Sequence, residues 1–183
     1  MIDLSKRNNL KVFNVEKIDS QGGSIRCYIC RKDSSQKISP KIKFILKDES
    51  KIGLYSSSKL KSFKYKIISH ISAMQSLIKT LKNKKKRISV YGASGKGQAL
   101  LQYCNLNNKT IDYVFDKSKL KHNCFTPGTL IKIKSPSDIK KTKIHYLLIL
   151  SWNIKDEIMK QENNFLKNGG KFIVPFPRPR VIN

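Results

Sequence analysis

Acidic residues are scarce in this chain: 12 Asp and Glu stand against 38 Lys and Arg in 183 residues, a formal charge of +26 at pH 7. An acidic, solvating protein is excluded, and attraction to anions is expected. Long apolar runs are also missing. The longest, about Tyr146–Trp152, falls far short of the roughly 18 residues of a spanning helix, so no membrane partner is expected. The opening MIDLSKRNNL has no apolar stretch of the signal-peptide kind. Four cysteines are too few to staple a mini-protein. At 39% hydrophobic and 9% aromatic the chain can bury a core without them, and a cytoplasmic location is the expectation. Cys27-x-x-Cys30 has no second pair at that spacing, because Cys104 and Cys124 stand apart. No metal site is expected.

The basic excess is mostly lysine and is dispersed. Its densest run is Lys82–Arg87, with weaker ones at Lys59–Lys66 and Lys117–Lys121. Three readings stand: a solvated surface, a surface for a phosphorylated ligand or acidic partner, and nucleic-acid binding. The last is the least favoured, since no nucleic-acid module or aromatic–basic stacking motif is present.

Leu10–Ile18 and Ser24–Arg31 both alternate apolar and polar residues around Gly22-Gly23, which predicts an antiparallel hairpin. Ser34–Pro40 is a polar loop. From Ser57 to Asn83, apolar residues such as Phe63, Ile67, Ile71, Met74, Ile78 and Leu81 recur at helical spacing, predicting one long amphipathic helix. Then the period changes. Ile88–Tyr91 reads as a strand, Gln98–Cys104 as a helix, Ile111–Phe115 and Tyr146–Leu150 as strands. A helix to about Lys167 follows, stopped by Gly169-Gly170, and Lys171–Val174 is a last strand ended by Pro175-Phe176-Pro177. The fold class is α/β: a Rossmann-like parallel sheet preceded by a β-hairpin and a long helix. The expected divisions are residues 1–35 for the hairpin, 36–86 for a connecting segment with the long helix, and 87–183 for the Rossmann-like domain.

Tyr91–Gly97 (YGASGKG) lies between a strand and a helix. Glycines there let a backbone approach a phosphate, and a helix N-terminus offers positive potential. Lys96 adds a charge, but Gly97 follows it where a Walker loop has Ser or Thr. The loop is read equally as an anion site and as a tight turn. Asp116 ends the next strand, where it either grips a ribose hydroxyl or caps its own loop. His70 is read as structural, and no Ser/His/Asp arrangement is arguable from spacing.

Taken together, several strings resemble one family. They are Gly22-Gly23-Ser24-Ile25-Arg26, Tyr91–Gly97, Thr126-Pro127-Gly128-Thr129, the block Leu148–Ile158 containing Trp152-Asn153, and Gly169–Pro175. This resembles the C-terminal part of SAM-dependent sugar C-methyltransferases, which methylate a carbon of a nucleotide-linked keto-deoxysugar. Members of that family carry a zinc-binding module, a SAM-binding domain and a Rossmann-like domain that helps hold the nucleotide sugar. This sequence has no zinc-binding cysteine cluster, acidic-glycine SAM loop or Glu-His-x-x-Tyr segment for the catalytic base.

The resemblance implies a nucleoside-diphosphate-sugar site at Gly92, Ser94, Gly95, Lys96, Gly97, Asp116, Trp152, Asn153 and Glu157. Trp152 and Asn153 either touch ligand or shape the loop, and Glu157 is equally a first-turn helix acid. No catalytic residue is expected. S-adenosylmethionine is expected on a separate methyltransferase chain or a missing domain, with no cofactor on this chain. Leu10–Arg31 resemble the closing hairpin of a methyltransferase sheet, so Val12, Ile25, Cys27 and Ile29 are expected on an uncovered face. The alternatives are a degenerate fragment, a nucleotide-cofactor oxidoreductase module, and a basic anion- or nucleic-acid-binding protein.

Overall fold

A computed structural model describes residues 1–182. The chain divides into two compact units, Met1–Lys64 and a second from Tyr65 onward.

The first unit is built on the hairpin. Helix α1 (Ile2–Arg7) leads into β1 (Leu10–Ile18), which pairs antiparallel with β2 (Ser24–Arg31). The register puts Val12 opposite Ile29 and Val15 opposite Cys27, with a bulge between Val12 and Asn14. The extra residue at the bulge lets Val12 and Val15, three apart, share a face. A second helix, α2 (Lys41–Ile52), covers part of that face. Ile42 packs with Val12 and Val15, and Ile2, Cys27 and Ile45 close around them. The hairpin face expected to lie open is therefore partly covered, although Ile25 and Ile29 remain exposed. Helix α2 was not expected either. Its Lys-rich composition masks a short apolar stripe, Ile42, Ile45 and Leu46, that ends at Gly53 in the left-handed region.

Helix α3 (Ser57–Asn83) runs as its periodicity predicts, but it buries only Met74, Ile78 and Leu81. These pack in the second unit against β3 (Ile88–Tyr91) and α4 (Gly95–Tyr103). The strands β4 (Val114–Phe115), β5 (Ile133–Lys134), β6 (Tyr146–Ile149), β7 (Lys171–Val174) and β8 (Arg180–Ile182) complete one sheet. Its order is β5-β4-β3-β6-β7-β8. The pairs from β5 to β7 are parallel, and β8 returns antiparallel on β7. All of β3 is buried, as a strand covered on both faces must be. One face packs on α3 and α4 through Val90, Leu101 and Leu148. The other packs Phe115, Ile149 and Phe172 against Ile158 of α5 (Lys155–Gln161).

Several boundaries differ from the sequence reading. Helix α4 begins at Gly95, inside the glycine loop, because the Ser94 hydroxyl accepts a hydrogen bond from the Gly97 amide and caps it. The helix expected to reach Lys167 breaks at Glu162 into α5 and α6 (Asn163–Lys167). Strands β5 and β8 were not anticipated, since one has two residues and the other follows a proline-rich stretch.

Candidate functional site

Open α/β sheets bind ligands beyond the carboxyl ends of their strands, where the strand order reverses. Here that point lies between β3 and β6: the chain steps from β3 to β4 and β5, then returns to β6 on the other side. The segments leaving those two strands are Gly92–Gly97 and Leu150–Asn153. They touch at both ends of the loop. A Cβ on Gly92 would lie 2.7 Å from the Ser151 hydroxyl, and one on Gly97 would lie 2.5 Å from the Leu150 Cβ. Gly92 also has φ of 95°, a left-handed conformation that favours glycine. Both glycines are explained by the fold. Gly95 is not: a Cβ there meets nothing within 4 Å. It opens α4 beside Lys96, where the helix N-terminus carries positive potential.

Asp116 is 9% exposed and faces inward, onto the loop. Its Oδ2 accepts from the Ala93 amide at 2.7 Å, and its Oδ1 accepts from the Ser118 amide at 2.8 Å. The Lys121 ammonium donates to Oδ2 at 3.3 Å and to the Ala93 carbonyl at 3.0 Å. Burial by itself would raise the carboxyl's pKa. The Ser118 and Ala93 amides and the Lys121 charge outweigh it and hold the group below its ordinary value. Asp116 and Lys121 thus clasp both polar groups of the Ala93 backbone.

Trp152 is half-buried and packs on Phe176, ring centroids 4.6 Å apart. His70 of α3 stacks on the same Phe176 at 4.4 Å, nearly parallel. Burial lowers the His70 pKa, and its Nε2 is buried without a hydrogen-bond partner. Asn153 is exposed. Glu157, in the first turn of α5, lies 3.7 Å from Lys117 and accepts from Gln161 at 2.7 Å. Gly92, Ser94, Gly95, Lys96, Gly97, Asp116, Trp152, Asn153 and Glu157 all belong to segments leaving the carboxyl ends of β3, β4 and β6.

Sequence reasoning missed the residues that bind these segments together. Lys121 is one. Gln98 is another: its amide donates to the Pro127 carbonyl at 2.6 Å and to the Thr129 hydroxyl at 2.8 Å, tying the Thr126–Thr129 turn to α4. The Lys-rich background hid the first; the second carries no motif. Among the described residues, no cluster of His, Cys, Asp and Glu could hold a metal ion. Nor is any helix long and apolar enough to cross a membrane.

Residues 19–177 match the family described as the C-methyltransferase C-terminal domain. The chain belongs to that family. It is 32% identical over 180 residues to the C-methyltransferase NovU of Streptomyces niveus, covering 98% of this chain and 43% of that protein. This C-methyltransferase C-terminal domain chain therefore spans less than half the length of that relative. A solved structure, UDP-D-quinovosamine 4-dehydrogenase from Vibrio fischeri, overlays 54% of the chain and 93% of its own at 18% identity and a TM-score of 0.39.

Proposed function

We propose that this chain is the nucleotide-sugar-binding portion of a sugar C-methyltransferase and acts with a separate SAM-binding methyltransferase polypeptide. The observation that carries this reading is Gly95. It stands at the switch point of the sheet, its glycine is not required by packing, and Lys96 follows it. A diphosphate approaching the start of α4 is what such a residue accommodates. Asp116 serves the site indirectly, by holding Ala93 in place. Both its oxygens are engaged by protein donors, which argues against an adenosine ribose gripped in the manner of dinucleotide enzymes. Trp152, Asn153 and Glu157 border the sugar side.

The chain's contribution is binding and orientation, which lowers a barrier without supplying a reacting group. The base that takes a proton beside the sugar ketone, and the methyl donor the resulting carbanion attacks, belong to the other polypeptide. Calorimetry on the purified chain tests the reading. A nucleoside-diphosphate sugar should bind, and Lys96→Ala should weaken it by about 1–3 kcal/mol, the range for a charge-assisted contact. S-adenosylmethionine should give no heat of binding. Unchanged affinity in Lys96→Ala, or a stoichiometric micromolar S-adenosylmethionine site, overturns the proposal.

A further inference from the structure

Three rings stand in series in the second unit, each from a different segment. His70 comes from α3, Phe176 from the stretch after β7, and Trp152 from the turn after β6. Phe176 is the middle ring. The imidazole lies 4.4 Å from it and 4° from parallel, and the indole lies 4.6 Å away at 53°. Rings at such separations attract each other beyond what their buried area supplies.

His70 is a poor choice if bulk alone is needed. Its Nε2 is buried and has no hydrogen-bond partner. An aliphatic side chain would bury no polar atom there, and an orphaned nitrogen costs stability. What the imidazole offers against that cost is a flat face, and Phe176 lies flat against it.

Trp152 has little support from its own segment. Its turn is three residues long, Trp152–Ile154, and both Asn153 and Ile154 are exposed. Its position nonetheless bears on the glycine loop. Ser151, just before it, is the residue that a Cβ on Gly92 would strike at 2.7 Å. Ala93, just after Gly92, is half-buried on the same core as Trp152 and Phe176, together with Leu100 and Leu150. Where the indole is held therefore sets where the segment leaving β6 lies against the loop leaving β3.

We infer that His70 is a positioning residue of the candidate site: stacked on Phe176, it holds Trp152 and, through it, the segment against which Gly92 rests. It touches no substrate. What the site binds rests on the function proposed above; the hold on Trp152 does not.

The test uses the full chain and two readouts. One is the indole N–H resonance of Trp152. The other is calorimetric affinity for UDP-glucose and its thymidine counterpart, the nucleoside-diphosphate-sugar probes. His70→Ala should move or broaden the resonance and weaken binding by about three- to ten-fold, the range for one aromatic contact. His70→Phe, which keeps a flat ring, should restore both. Phe176→Leu should reproduce the His70→Ala effects. Adding His70→Ala to Phe176→Leu should then change neither readout further, because the series is already broken. Should His70→Ala not fold, His70→Leu takes its place, keeping bulk without a flat face.

A lower urea midpoint in His70→Ala with resonance and affinity unchanged would make His70 a core residue only and overturn the inference. So would additive effects in the double variant, or no recovery in His70→Phe. If the wild-type chain binds neither probe, the sugar reading fails by itself. The resonance still decides the positioning: moved in His70→Ala and recovered in His70→Phe upholds it, and unmoved overturns it.

Discussion

Gly92, Gly95 and Gly97 share one short loop for different reasons, and substitution separates them. Gly97→Ala drives a methyl into Leu150. Overpacking of this kind costs about 1–3 kcal/mol, to be read as a lower midpoint in urea. Gly95→Val meets open space, so the midpoint should hold while nucleotide-sugar affinity falls in a titration. Equal affinity in the two proteins would make the loop a turn and nothing more. Asp116 offers a pH test. Its pKa is depressed in the folded chain, so its stabilisation is present above the ordinary carboxylate value near about 4 and is lost as pH falls through the lower folded value. Asp116→Asn removes an acceptor for buried donors and should cost about 1–3 kcal/mol at pH 7. The gap between wild type and variant should narrow in denaturation followed to pH values below the ordinary carboxylate range, as the wild-type carboxylate is lost. A gap of constant size across that range would show that the carboxylate does not hold the loop.

Helix α2 is the element that gives the hairpin what core it has. Ile42→Ala removes one of three buried side chains there and should cost about 2–4 kcal/mol. Amide exchange should quicken across Leu10–Arg31 and Lys41–Ile52 while β3, β6 and β7 stay slow. If exchange in the hairpin is unchanged, α2 is not its support. The strongly periodic elements were legible in the sequence: both hairpin strands fall where alternation places them, and α3 where its stripe does. What escaped were elements fixed by tertiary contact. Strand β5 is two residues whose pairing with β4 no local pattern records. Strand β8 follows prolines that read as an ending, yet an antiparallel edge strand is where a chain can return after them. At the site, the glycine loop and the Trp152 block were visible as strings, but their meeting through Ser151 and Leu150 was not, because β6 comes beside β3 only after two intervening strands.

At the scale of the whole molecule, +26 of formal charge sets how the chain meets anything anionic. Attraction of this breadth is screened by salt, while a seated diphosphate with direct contacts is screened less. Nucleotide-sugar affinity should therefore fall less between low and physiological ionic strength than adsorption to random DNA does, and gel retardation beside calorimetry would compare them. The Trp152–Phe176 contact has a practical consequence. Trp152 is the single tryptophan of the chain, and it follows directly the serine that Gly92 abuts. Excitation at the red edge of the aromatic absorption band thus addresses one indole, in the segment that leaves β6 beside the glycine loop. The molecule carries its own optical probe, and its emission should change in intensity or wavelength on titration with a nucleoside-diphosphate sugar.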